Sequence, residues 1–226
     1  TGTFEWSAGT IVRDGRLIIA SGCVANLTTA SGKFIDGVLE NRGTINYTGT
    51  QFLFGRDAGN LPARIENAAG GTWIVDGEGD FSQFNGSATY RIDNAGTFIK
   101  RGAGTVTIVN NPIFFGSTGS VAVESGELRL NGGSSLGGAV GGAGFLTYFG
   151  GSHTIPSGGN FGIASLSLNN VNLTLAAGSA PNLAVVDING STLTSEDSRT
   201  FSNLTLRGDG RLSVASGSAV EVTGTL

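Results

Sequence analysis

The chain has no methionine, one cysteine (Cys23) and one histidine (His153) in 226 residues. One thiol excludes an internal disulfide. One imidazole and one distant thiol give no zinc site of His and Cys ligands anything to assemble from. A Ser-His-Asp triad needs only one histidine, but the chain offers no strand-to-helix turn on which a Gly-x-Ser-x-Gly elbow could present its nucleophile. His153, within Gly151-Ser152-His153-Thr154-Ile155, reads as a turn or repeat-pattern residue.

Charge is also scarce. Charged side chains make up 13% of the chain, with 13 basic against 17 acidic residues and a net charge of −4. Neither nucleic acid nor an anionic membrane surface is an expected partner. No apolar run approaches the roughly 20 residues of a spanning helix, so membrane insertion is not expected. The chain does not start with Met and has no charged-then-apolar leader, as expected of one processed or cut from a longer chain. Helical windows are missing too, because clusters of Gly, Asn, Pro or Thr interrupt every stretch long enough to form one.

What the chain has in quantity is glycine: 39 residues, beside 39% hydrophobic residues that include 13 phenylalanines. That apolar content and low net charge exclude low-complexity disorder. Val, Ile, Thr and Phe sit between the glycines, which predicts strands joined by tight turns.

The strands repeat. Leu39-Glu40-Asn41-Arg42-Gly43-Thr44-Ile45 recurs as Ile65-Glu66-Asn67-Ala68-Ala69-Gly70-Gly71-Thr72-Trp73 and as Ile92-Asp93-Asn94-Ala95-Gly96-Thr97-Phe98, with a weaker copy at Gly119-Ser120-Val121-Ala122-Val123. An apolar residue, an acid and an Asn end one strand, Gly makes the corner, and Thr with an apolar residue begins the next. Tolerance of left-handed backbone angles by Asn and Gly is the expected reason for the corner. Farther on, Asn172-Leu173-Thr174-Leu175 returns as Asn203-Leu204-Thr205-Leu206, among strands that alternate apolar and polar residues.

A sandwich needs no such recurrence, whereas a coil of a three-sided parallel β-helix uses about this many residues and buries its apolar side only by stacking on its neighbours. The expected fold is all-β: one β-solenoid domain over residues 1–226, clearest over 1–155 and more diverged over 156–226. At roughly 23–25 residues per coil it has about nine coils and a length of about 45 Å. A right-handed path is expected from the bias of parallel crossovers. Thr1-Gly2-Thr3-Phe4 and Thr223-Gly224-Thr225-Leu226 both fall inside the pattern, without a polar or helical cap. Exposed strand edges invite pairing, so the expected partners are neighbouring coils of a longer array, or copies of the chain stacked end to end.

The series Asn94-Ala95-Gly96-Thr97-Phe98, Gly102-Ala103-Gly104-Thr105, Gly119-Ser120-Val121-Ala122-Val123, Ser125-Gly126-Glu127-Leu128-Arg129-Leu130-Asn131-Gly132-Gly133 and Gly150-Gly151-Ser152-His153-Thr154 resembles the glycine-rich repeats of large bacterial surface and secreted proteins. It is similar to the β-solenoid passengers of filamentous haemagglutinin-like adhesins and autotransporters. The resemblance implies an extracellular or cell-surface location, a structural or adhesive role and surface glycans as partners. It carries over no catalytic residue and no cofactor.

Three stretches could still hold chemistry. Lys100-Arg101-Gly102-Ala103-Gly104-Thr105 looks like a phosphate cradle, but a strand-like Thr105-Val106-Thr107-Ile108-Val109 follows it, where a phosphate loop opens a helix. It therefore reads as a turn, with Lys100 and Arg101 facing solvent. Asp76-Gly77-Glu78-Gly79-Asp80 spaces three acids at alternate positions. Asp76, Glu78 and Asp80 are thus weak candidates for a Ca²⁺ site, although they lack the full acidic ligand series of a calcium loop, and a solvated turn is the competing reading. Phe52, Phe54, Phe81, Phe84, Phe114, Phe115, Tyr148 and Phe149 could form a carbohydrate strip, or fill the solenoid interior, which is the expectation here.

The resulting expectation is a non-catalytic structural or adhesive module. The alternative is a β-helix that binds or cleaves polysaccharide, of tailspike or pectate-lyase type, working through carboxylates and a basic partner.

Overall fold

The computed structural model describes residues 1–28, 31–56, 63–85, 89–109, 113–163 and 165–226. Among them are 31 strands and no helix. The strands fall in rotation onto three parallel sheets. The first face holds nine strands, from Thr3–Trp6 to Ala180–Pro181. The second holds ten, from Gly9–Ile11 to Asn203–Arg207, and the third ten, from Arg16–Ile19 to Arg211–Val214. Arg199–Phe201 and Val220–Val222 pair with each other as a short fourth sheet. This is the expected parallel β-solenoid.

It has about ten coils rather than nine, because the coils shorten along the chain. Stacked positions on the third face are 26, 27 and 23 residues apart in the first half and 19 apart at Ser134 and His153. Later coils hold near 20. The strands keep their lengths and the joins between them shrink. The repeated Asn-Leu-Thr-Leu tetrapeptide is not a coil repeat, since Asn172–Leu175 lies on the third face and Asn203–Arg207 on the second. Alternating short strands look alike on every face.

The Gly-Thr repeat is in register. Thr44 pairs with Thr72, Thr72 with Thr97, and Thr97 with Ser120. The glycine before each is needed for a reason other than the expected one. Gly43, Gly71, Gly96 and Gly119 are not left-handed. A Cβ on Gly96 would lie 2.2 Å from the Gly71 carbonyl oxygen, and one on Gly119 would lie 2.1 Å from that of Gly96. Coils approach so closely at this corner that no side chain fits between them.

The asparagine of each repeat faces inward and makes a ladder. Asn41 Nδ2 donates to Asn67 Oδ1 at 2.7 Å, Asn67 Nδ2 to Asn94 Oδ1 at 2.7 Å, and Asn94 Nδ2 to Ser117 Oγ at 2.9 Å. The second proton of each amide goes to the backbone of the next face: Thr72 O at 2.9 Å, Thr97 O at 3.0 Å and Ser120 O at 3.0 Å. Burying an amide is tolerable only when its bonds are made, and here each one bonds the coil above and the neighbouring face together.

Apolar rows fill the rest of the interior. In the early coils they are aromatic. Phe52 is the hub, meeting Trp6, Tyr47 and Trp73 edge-on at centroid distances of 5.7, 5.7 and 6.0 Å and stacking on Phe81 at 5.6 Å. In the later coils they are mostly aliphatic, including Leu128, Leu146, Leu166 and Val186 on the second face, with Tyr148 and Phe161 among them.

Replacing Asn67 by Ala breaks the ladder in its middle and strands the Asn94 carbonyl oxygen. A loss of about 2–4 kcal/mol is expected, from the unmade bonds and the cavity, read as a lowered urea midpoint. A change below about 0.5 kcal/mol, the level of a neutral surface substitution, would show that the ladder does not hold the coils.

Candidate functional site

Outward-facing residues stack as regularly as inward ones, so the possible sites are rows. On the third face Glu40, Glu66 and Asp93 are in register, followed by Gly116 and Ser135. Three acids in adjacent rungs would repel, but arginines interleave them. Glu40 pairs with Arg16 and Arg42, Glu66 with Arg16 at 3.0 Å and Arg64 at 2.8 Å, and Asp93 with Arg91 at 2.9 Å. Arg42 and then Arg16 hold the Glu40 carboxyl below its usual range.

The outward row ends in a depression of about 470 Å³ bordered by Glu66, Arg91, Asp93, Gly116 and Ser135. The half-buried Phe114 stands beside it, with the Arg91 guanidinium carbon 4.8 Å from its ring centroid. Beyond the ring lies a second depression of about 450 Å³, bordered by Phe114, Asn131, Gly132, Gly133, Gly151 and Ser152.

The three acids of the Asp76–Asp80 turn are spread out. Asp76 pairs with Arg101 at 3.0 Å, Asp80 accepts from the Thr107 amide at 3.2 Å, and Glu78 is exposed. Among the described residues no three His, Cys, Asp or Glu side chains come close enough together to hold a metal ion. The fold does bring Glu78 and Asp80 around one polar depression with Thr105, Thr107 and Arg129. Arg129 is distant in sequence and comes near through the register of the second face, where it pairs with Thr107.

Lys100 corrects the expectation of a solvent-facing residue. Its strand, Thr97–Arg101, places it in register with the buried Val75 and Val123, and it is 0% exposed. The amine reaches the corner and donates to Arg101 O at 2.7 Å and Gly102 O at 2.8 Å. Burial lowers its pKa, partly opposed by Asp76 and Glu78. Arg101 does face outward, to Asp76. Thr105–Val109 is a strand, as expected for a turn and not a phosphate loop.

The aromatics divide. Phe52, Phe54, Phe81, Phe115 and Tyr148 are buried, as core residues should be. Phe84 and Phe149 are exposed, and Phe84 packs edge-on against Phe34 at 5.2 Å.

His153 is no turn residue. It lies in the strand Ser152–Ile155, in the interior row between Ser134 and Leu173. Its Nε2 is 2.8 Å from the Gly150 carbonyl oxygen, which can only accept, so Nε2 carries the proton. Nδ1 then accepts from the Ser134 hydroxyl at 2.9 Å, and the ring lies 4.3 Å from that of Tyr148. Ser134 and His153 are 2% and 1% exposed, so no substrate reaches them.

No protein-family model, curated protein or solved structure matches the chain.

Burial pushes the His153 imidazole below its usual pKa, with the Gly150 bond opposing. As pH falls below about 6.5, the unfolded chain takes up a proton that the folded chain refuses. Stability is therefore full above that value and declines on acidification. Urea midpoints measured between pH 7 and pH 5 should fall for the natural chain and stay flatter for His153→Gln. Parallel curves would show that His153 titrates alike in both states.

Proposed function

We propose that the chain is a non-catalytic structural and adhesive module of a secreted or cell-surface bacterial protein, working as a stiff spacer that presents rows of side chains. The observation that carries this reading is the continuous parallel register of the second and third faces, and of the first as far as Ala180–Pro181, around one continuous core. Such a body resists bending because successive coils are bonded along their stacked faces, on three sides over most of its length. Its outward charges support the same reading, since the arginines and acids of the third face neutralise one another in place. Further coils, or copies of the chain, stacked on the outermost rungs would extend the spacer.

The polar depression with Glu78, Asp80 and Arg129 favours a second reading, polysaccharide cleavage, because it joins acids to a base. Incubation with neutral and acidic glycans, followed by reducing-sugar and unsaturated-product assays, separates the two. The structural reading expects no turnover and elongated particles by electron microscopy, and clear turnover would sink it. The triple variant Asp76→Asn, Glu78→Asn, Asp80→Asn should fold with an unchanged melting temperature. Millimolar Ca²⁺ should not raise the melting temperature of the natural chain, and a rise that the variant lacks would restore the metal site.

A further inference from the structure

Gly116 is a glycine that the backbone does not require. It lies inside the strand Ile113–Ser117, without a left-handed φ, and its register is continuous with Asp93 on one side and Ser135 on the other. There is no bulge and no bend. A Cβ there would meet only side chains, at 3.3 Å from Asp93 Oδ1 and 3.4 Å from Phe114 Cε1, so small shifts would admit a larger residue. By contrast, a Cβ on Gly96 or Gly119 would strike a carbonyl. Glycine inside a strand weakens it and marks places where something approaches the backbone closely.

What the missing side chain leaves open is one side of Phe114. Phe114 borders the depression of Gly133, and its Cε1 lies toward Gly116, which borders the other depression. Arg91 is held over the ring by contacts of 2.9 and 3.2 Å to Asp93 Oδ1, so the polar groups beside the aromatic surface are fixed before any ligand arrives. Ser135 and Ser152 border the two depressions.

We propose that Phe114 and its flanking glycines form a binding platform for neutral hexopyranose units of a polysaccharide. A sugar ring has an apolar C–H face, which stacks on an aromatic ring, and an edge of hydroxyls, which both donate and accept. The platform supplies an aromatic surface, fixed carboxylate and guanidinium groups, and hydroxyls, which is how small polar ligands are oriented. The arginines paired with Glu66 and Asp93 leave the rim close to neutral, which suits an uncharged polymer. The platform does not depend on the spacer reading, since a glycan could bind it on any rigid solenoid.

The test is native electrophoresis of the full chain through gels containing a soluble β-glucan, a mannan or polygalacturonate. The natural chain should be retarded by β-glucan or mannan. Phe114→Ala and Gly116→Thr should each weaken the apparent affinity by at least about tenfold, the size expected for a central contact. Gly116→Thr should keep or raise the urea midpoint, because threonine suits a strand better than glycine. The proposal fails if the natural chain passes both neutral polymers unretarded, if only polygalacturonate retards it, or if Gly116→Thr binds as the natural chain does. A sharp drop in the Gly116→Thr midpoint would also overturn it, by showing that the glycine serves the fold.

Discussion

Parallel pairing in register is the constraint on which everything else in this solenoid depends. Each residue lies directly over its counterpart in the coil below, at a spacing of about 4.8 Å. A residue type can be used at a position only if it tolerates its like, or its complement, at that distance. Asparagine tolerates itself, because its amide donates on one side and accepts on the other, so Asn41, Asn67 and Asn94 share a buried row. Carboxylates do so only when neutralised, so Glu40, Glu66 and Asp93 stack beside arginines from neighbouring positions. Glycine tolerates glycine where backbones nearly touch, as at Gly71, Gly96 and Gly119.

The same constraint explains how much was legible in the sequence. The repeat of an Asn shortly before Gly-Thr exposed the parallel solenoid and its register through Ser120, because several positions of a coil recur together there. The repeat spacing of the long early coils implies fewer coils than the chain has, because the later ones are shorter and keep only strand alternation. Alternation does not say which face a strand occupies, hence the misleading Asn-Leu-Thr-Leu pair. Lys100 lies inside although a cation next to glycines suggests a turn. Counting alternate positions inward from Phe98 would have put it inside.

The candidate sites were less legible than the fold. The Asp76–Asp80 stretch drew notice as a run of acids, but its surroundings include Arg129 and Thr105, which only the register brings near. The Phe114 platform has no sequence signature of its own. It is made of an outward aromatic, a glycine one rung from an acid, and an arginine from the coil below. A glycine that matters by leaving room looks, in a chain with 39 of them, like any other.

The asparagine ladder has a direction. Every inter-coil amide bond in it donates from the lower-numbered coil to the higher, and Ser117 closes the row by bonding Gly119 O at 3.2 Å. Aligned bonds of this kind polarise one another, and their dipoles add along the axis. Parallel strands run around the coils rather than along the rod and contribute little to such a sum. The buried amides thus give the interior between Asn41 and Ser117 a small dipole along the rod, against which the outward amides of Asn46 and Asn26 point the other way.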